Sequence, residues 1–356
     1  MNKERFIAAN AIALITHGAL QPLDLIKVRS QMLQEGKTFN GLAFQRGVHP
    51  TLLFNEIYAA GGGYKKFWTS FDGFFARTVA YTSARVWGFL YFYDWVNHDP
   101  RRVARWDFFM YAGLAGGMVA GVLTNPFDIV FTRMQVDEMY PQGYKRNYKS
   151  FAEGFAKVAE EGALFRGAGV NGLKIGALLA SMTMINDLAK EQSYYFLGPS
   201  WINRFWATLS ACVVGTVASL PFDMIRTRMH TMRPLPNGEL PYKNSLDCLV
   251  KIQKYECSIH HSSNYQSFLI GGYAYGARLF GICYLSQFLL DYYYGMKKQE
   301  EQWTPARHGQ LGGITFDIHD PYTLAYHKLA VRTYTKPANN WTNAMHPDSH
   351  THLLWA

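Results

Sequence analysis

Two guanidiniums and a phenol share one side of a single helical stretch. Arg77, Tyr81 and Arg85 follow one another at spacings of four residues, which stacks them along one face of an α-helix. The run that carries them, Phe75-Ala76-Arg77-Thr78-Val79-Ala80-Tyr81-Thr82-Ser83-Ala84-Arg85, is otherwise small, hydroxylic or apolar. Arginine on such a face costs energy unless it lines a wet cavity or meets carboxylates. The chemistry on offer is anion recognition. A guanidinium fork grips a carboxylate through charge-assisted hydrogen bonds, and a phenol donates to a keto or hydroxyl oxygen. Nothing in the chain resembles a nucleophile–base pair or a phosphate loop, so no enzyme activity is expected.

The elements that must position this face announce themselves by three prolines. Gln21-Pro22-Leu23-Asp24-Leu25-Ile26-Lys27-Val28-Arg29-Ser30-Gln31 is the first of three similar phrases. Asn125-Pro126-Phe127-Asp128-Ile129-Val130-Phe131-Thr132-Arg133-Met134-Gln135 is the second, and Leu220-Pro221-Phe222-Asp223-Met224-Ile225-Arg226-Thr227-Arg228-Met229-His230 the third. They recur about a hundred residues apart, the mark of a triplicated architecture. Proline inside a helix removes a hydrogen bond and kinks it, which a membrane helix tolerates when neighbours re-satisfy the freed carbonyl. Asp at the second position after proline and a base at the fifth lie close on one face, so three kinked ends meeting around an axis can pair the Asp of one repeat with the base of another.

The phrase resembles the signature of the mitochondrial carrier family. The first copy fits throughout; the second has Phe131 where a base is expected, and the third has His230 where Gln is expected. The resemblance covers about residues 5–296. It implies an all-α membrane protein of six transmembrane helices in three pseudo-symmetric repeats around a central cavity, with short amphipathic matrix helices. The repeats fall at 1–105, 106–200 and 201–296, followed by an irregular C-terminal extension, 297–356. The long helices are expected over 5–34, 73–97, 107–138, 167–191, 201–232 and 272–296, and amphipathic stretches follow Tyr148 and Tyr242. Gly113, Gly116, Gly117 and Gly121 give the third long helix the small-residue spacing that allows close approach in lipid.

Within the family, the Arg77–Tyr81–Arg85 run is similar to the oxoglutarate/malate carrier branch. That likeness places further substrate-binding bases at Lys174 and Arg278, and implies exchange of dicarboxylates (2-oxoglutarate and malate) across the mitochondrial inner membrane. A lysine at 174 keeps the charge and loses the bidentate fork. The branch also has an apolar residue where Phe131 stands. By the same analogy the matrix gate pairs Asp128 with Arg226 and Asp223 with Lys27, leaves Asp24 facing Phe131 without a partner, and is braced by Gln31 and Gln135. The cytoplasmic gate falls on Asp94, Asp187, Lys190, Asp291 and Tyr294, with Asn97 where a base would stand. Asp94 would pair with Lys190 and Asp187 with Tyr294. Phe165-Arg166-Gly167 resembles the step that holds cardiolipin in the family, as a structural lipid rather than a cofactor; Phe71-Asp72-Gly73 and Ile270-Gly271-Gly272 are read as altered versions of it.

Composition narrows the remaining classes. The chain has 356 residues and a net charge of +9, with a mean hydropathy of −0.13. No recognised nucleic-acid module accompanies the charge, and the bases are scattered among Gly-rich apolar segments, so an anionic bilayer is the simpler partner. Cys212, Cys248, Cys257 and Cys283 lack C-x-x-C spacing, which argues against zinc or a disulfide framework. The N-terminus lacks an Arg- and Ser-rich leader, and family members use internal targeting signals. His346, His350 and His352 have ligand chemistry but weak spacing, and no metal is assigned. Trp303, Tyr322, Tyr326, Tyr334 and Trp341 are residue types enriched in interface anchors. They suggest an alternative role: an accessory subunit docked by 297–356 onto a larger respiratory assembly.

Overall fold

The computed structural model describes residues 3–36, 50–59, 63–68, 70–96, 106–140, 145–197, 201–233, 240–255 and 271–303. The linker 258–264, Cys257, Asn97 and residues 304–356 lie outside them. The described residues are helical, with no strand among them: α1 (Lys3–Ala19), α2 (Gln21–Gly36), α3 (Pro50–Ala59), a 3-10 turn (Gly63–Trp68), α4 (Phe71–Val96), α5 (Trp106–Asp137), α6 (Phe151–Glu160), α7 (Ala168–Leu197), α8 (Trp201–Thr231), α9 (Ser245–Tyr255) and α10 (Gly272–Trp303).

The long helices close a ring. Each packs on the next, α1 on α4, α4 on α5, α5 on α7, α7 on α8 and α8 on α10, and α10 returns to α1 and α2. Glycine sets the spacing of the tightest pair. A Cβ on Gly121 of α5 would lie 2.7 Å from the carbonyl oxygen of Asn171 on α7, and one on Gly117 would lie 2.8 Å from Gly176 Cα. Backbones that approach this closely rely on van der Waals contact rather than on large side chains. By length and apolarity, Met110–Asp137, Ala168–Lys190 and Trp201–Thr231 can each cross a membrane, and the bent pair α1 and α2 passes the same test when taken as one span. α4 carries Arg77, Arg85 and Asp72, and α10 carries Arg278, Asp291 and a polar C-terminal end, which lowers their hydropathy.

The first long helix departs from expectation. It breaks at Leu20 with a bend of 59°, whereas α5 and α8 run on through Pro126 and Pro221. Pro22 leaves the carbonyl of Gly18 without its helical donor. The indole of Trp68 supplies one, Nε1 donating to that oxygen at 2.9 Å. A second difference is α3, a short helix in the first third of the chain that completes a set with α6 and α9. α6 and α9 begin beside local caps. The Ser150 hydroxyl accepts from the Glu153 amide at 3.3 Å, and Asp247 accepts from the Lys243 amide at 3.0 Å. On α6 the Lys157 ammonium, 2.7 Å from Glu153, holds that carboxyl below its usual range.

The turns into the even helices repeat one backbone device. Ser70, Gly167 and Gly271 have φ of 64°, 75° and 78°, and each carbonyl accepts from the amide four residues on, in Phe74, Asn171 and Tyr275. This corrects the expected register of the lipid step. Phe165-Arg166-Gly167 corresponds to Trp68-Thr69-Ser70 and Leu269-Ile270-Gly271, not to Phe71-Asp72-Gly73. Asp72 has a different part: its carboxylate accepts from the Phe151 amide at the start of α6 at 2.7 Å, where the helix end favours negative charge.

Candidate functional site

The three phrase aspartates converge at one end of the ring, buried to 4% exposure or less. Lys27 Nζ lies 2.5 Å from Asp223 Oδ2, and Arg226 NH1 lies 3.5 Å from Asp128 Oδ2. These are two of the pairings expected between neighbouring phrases. Gln31 donates to Asp223 at 2.9 Å and accepts from the Thr227 hydroxyl at 2.8 Å. Gln135 donates to Asp24 at 3.3 Å. His230, in the third brace position, instead meets Asn125 Oδ1 at 3.1 Å.

Asp24 does not stand alone, contrary to expectation. Arg278 NH1 lies 3.1 Å away and Arg77 NH1 3.5 Å away. Arg77 also donates from Nε to Asp128, with its guanidinium over the Phe131 ring at 5.2 Å. The apolar Phe131 therefore leaves room for an arginine from α4 to span two carboxylates. On the opposite side, Lys174 Nζ lies 2.7 Å from Asp223 Oδ1. Three of the four expected substrate cations, Arg77, Lys174 and Arg278, are thus ion-paired with gate acids. Arg85 and Tyr81 sit further along α4, with the Arg85 guanidinium over the Tyr81 ring at 5.5 Å.

Two residues of this network, Asn171 and Tyr275, belong to no motif, and two bases of the phrases, Arg29 and Arg133, have a part not assigned to them from the sequence. Asn171 of α7 donates to Asp128 at 2.9 Å and to the Gly121 carbonyl at 2.8 Å. Tyr275 of α10 is buried beneath the Lys27 ammonium, 4.1 Å from its ring, and near that of Lys174. Arg29 and Arg133, each seven residues after its proline, donate to the carbonyls of Gln135 and His230 in the next phrase at 3.3 and 3.0 Å. Their outer ends meet Glu138 and Glu161. The repetition of this bond is a signal that alignment of the three phrases could have supplied.

Above the closed end, α1, α4 and α10 line a cavity of about 440 Å³ including its open mouth. His17, Thr82, Arg85, Cys283 and Ser286 give it polar character, and Ala9, Ile12, Ala13, Ile282 and Leu290 apolar walls. Five cations, Lys27, Arg77, Lys174, Arg226 and Arg278, share three carboxylates, an excess of two positive charges within this ion-pair network. No group of three or more metal-ligating side chains occurs among the described residues.

The far end of the ring differs from expectation. Asp291 of α10 pairs with Arg204, one turn into α8, at 2.5 Å, a base that the sequence does not single out. Asp187 and Lys190 lie on α7; the side chains of Asp94 and Tyr294 lie outside the described residues. Arg166 and Gly167 precede α7. Burial, and then the nearby Arg133, hold Arg166 below the usual guanidinium range.

Residues 109–195 match the family described as mitochondrial carrier protein. The chain is 60% identical over 353 residues to the macronuclear solute carrier homolog of Oxytricha fallax, covering 99% of this chain and 95% of that protein. It is 26% identical over 244 residues to the mitochondrial 2-oxoglutarate/malate carrier protein of Mus musculus, covering 67% and 75%. It is 27% identical over 263 residues to the mitochondrial dicarboxylate/tricarboxylate transporter of Arabidopsis thaliana, covering 70% and 80%.

Proposed function

The chain belongs to the mitochondrial carrier family, and from that premise we propose that it exchanges small dicarboxylates, 2-oxoglutarate and malate foremost, across the mitochondrial inner membrane by alternating access. One observation carries the choice of cargo. An excess of two positive charges in a buried, low-dielectric ion-pair network is costly without an anion, and a dicarboxylate supplies two negative charges there. The names of the mouse and Arabidopsis relatives point the same way.

The ion pairs supply a mechanism. Arg77, Lys174 and Arg278 each hold a gate carboxylate, so an arriving dicarboxylate competes with Asp24, Asp128 and Asp223 for the same cations. Cargo that takes Arg278 or Lys174 weakens the closed end as it binds. A two-state carrier responds only by the differential affinity of its cargo for the two states, and shared cations provide that difference. Tyr81 and Arg85 offer further donors on the way in. Liposomes containing the pure protein test this reading. Uptake should be competed by dicarboxylates and not by amino acids or sugars; competition by neutral solutes alone would contradict it.

Two further elements belong to this reading. Cardiolipin phosphate at the Arg166–Gly167 step is supported by the positive end of α7 and by the burial of Arg166 beside another arginine. A second role, docking of 297–356 onto a larger inner-membrane assembly, is favoured by the match to the Oxytricha relative. It spans 99% of this chain and so includes the extension, whereas the matches to the mouse and Arabidopsis carriers span 67% and 70%.

A further inference from the structure

The cavity described above has two polar groups that the gate does not explain, Arg85 and His17. Both line it directly. His17 lies on α1, on the face it shares with Ala9 and Ala13 at spacings of four. Those alanines line the same cavity, and both are buried. α4 contributes Thr82 and Arg85 to the opposite wall, and α10 contributes Cys283 and Ser286. The charged groups that face His17 are Arg278 from α10, Arg85 and Arg77 from α4, and Asp24 from α2. The imidazole and the Arg85 guanidinium thus line one cavity, within electrostatic reach of the inner pair, Arg77 and Arg278, that holds the gate.

A short dicarboxylate spanning those two cationic poles carries its 2-position between them. Malate has a hydroxyl there and 2-oxoglutarate a carbonyl. A neutral imidazole has one donor and one acceptor nitrogen, so it can serve either oxygen. Guanidiniums can only donate and are drawn to the carboxylates. The aliphatic walls, Ile12, Ile282 and Leu290, offer nothing to an oxygen and suit the methylene side of the same molecule. Sites built to hydrogen-bond a substrate oxygen reject the analogue that lacks it, because their polar group is left unpaired.

Resting on the transport reading above, we propose that His17 is a specificity-determining residue that hydrogen-bonds the 2-oxo or 2-hydroxy oxygen of a dicarboxylate whose near carboxylate sits on Arg85. The test compares malate with succinate, and 2-oxoglutarate with glutarate, in proteoliposomes. The same four ligands are also measured by thermal stabilisation of the detergent-purified full chain, so that a protein that binds without cycling still answers. The wild type should favour the oxygenated member of each pair. His17→Ala should collapse that preference about tenfold, the worth of one hydrogen bond, mainly through KM. His17→Gln, which keeps a donor and an acceptor, should recover part of it. An unchanged preference in His17→Ala, or no preference in the wild type, overturns the proposal while leaving dicarboxylate exchange intact. A wild type that neither transports nor is stabilised by any of the four contradicts both readings.

Discussion

Lys174 Nζ lies 2.7 Å from Asp223 Oδ1, so a base expected to hold cargo holds a gate acid. Lys27 approaches the other oxygen of that carboxylate at 2.5 Å, and Gln31 donates to the same atom. The carboxylate is buried among Lys27, Lys174 and the Gln31 amide. Charges this deep are stable only as complete sets.

Removing the acid should therefore cost more than removing one base. Asp223→Asn leaves Lys27 and Lys174 buried together and should lower stability by about 3–5 kcal/mol. Lys174→Ala leaves Asp223 with Lys27 and Gln31 and should cost distinctly less. Thermal unfolding of the detergent-purified variants decides between them; equal losses would mean that the carboxylate does not hold both lysines.

Arg77 and Phe131 make a second pair with a measurable coupling. Phe131→Lys restores the base of the second phrase but sets it against the Arg77 guanidinium, now 5.2 Å from the ring. The single variant should be destabilised by overpacking and like charge, about 1–3 kcal/mol. Adding Arg77→Ala should recover much of that stability, because the new lysine can serve Asp24, while uptake stays lost. Additive losses in stability would show that the two side chains do not share a role.

Helix spacing gives a third contrast, between two glycines. Gly121→Ala forces a methyl against the α7 backbone at 2.7 Å and should destabilise by about 1–3 kcal/mol. Gly169, near the start of α7, has no atom within 4 Å of an added Cβ, and Gly169→Ala should be neutral or slightly stabilising, by about 0.4–1 kcal/mol at most. Matched thermal melts read both.

Much of the architecture is legible in the three proline phrases, because each encodes a helix, an acid and a base at fixed offsets. By that register the acid of one phrase can meet the base of another, and the family resemblance implies the particular pairings Lys27–Asp223 and Arg226–Asp128. The partner of Asp24 follows from neither. It comes from α4 and α10, far along the chain, and only the space beside Phe131 lets Arg77 reach it. Tyr275, Asn171 and His17 belong to no spacing pattern; they matter because of what packs around them. Asp72 was legible as an acid where a base was expected, but not as the acceptor for the start of α6, since that bond joins two repeats. At the break after α1 the indole of Trp68 captures one carbonyl, a contact that helix propensity does not contain.

The extension sets a fourth expectation. α10 continues to Trp303, so truncation belongs there rather than within the helix. A chain ending at Trp303 should fold and keep its thermal transition, and should be released from any membrane complex with which the full chain migrates after gentle solubilisation. Retention of the truncated chain in that complex, or migration of the full chain as a lone monomer, would remove the docking role.

On the proposed function, cations shared between cargo and gate couple the exchange of one dicarboxylate for another. Uptake of labelled 2-oxoglutarate into liposomes bearing the pure protein tests it, with malate trapped inside or absent, for the wild type and Arg278→Leu. Trapped malate should drive rapid uptake in the wild type and empty liposomes little. Arg278→Leu should abolish it, since leaving a substrate carboxylate unpaired costs about 2–5 kcal/mol. Equal uptake with and without trapped malate, or full activity in Arg278→Leu, would contradict the account.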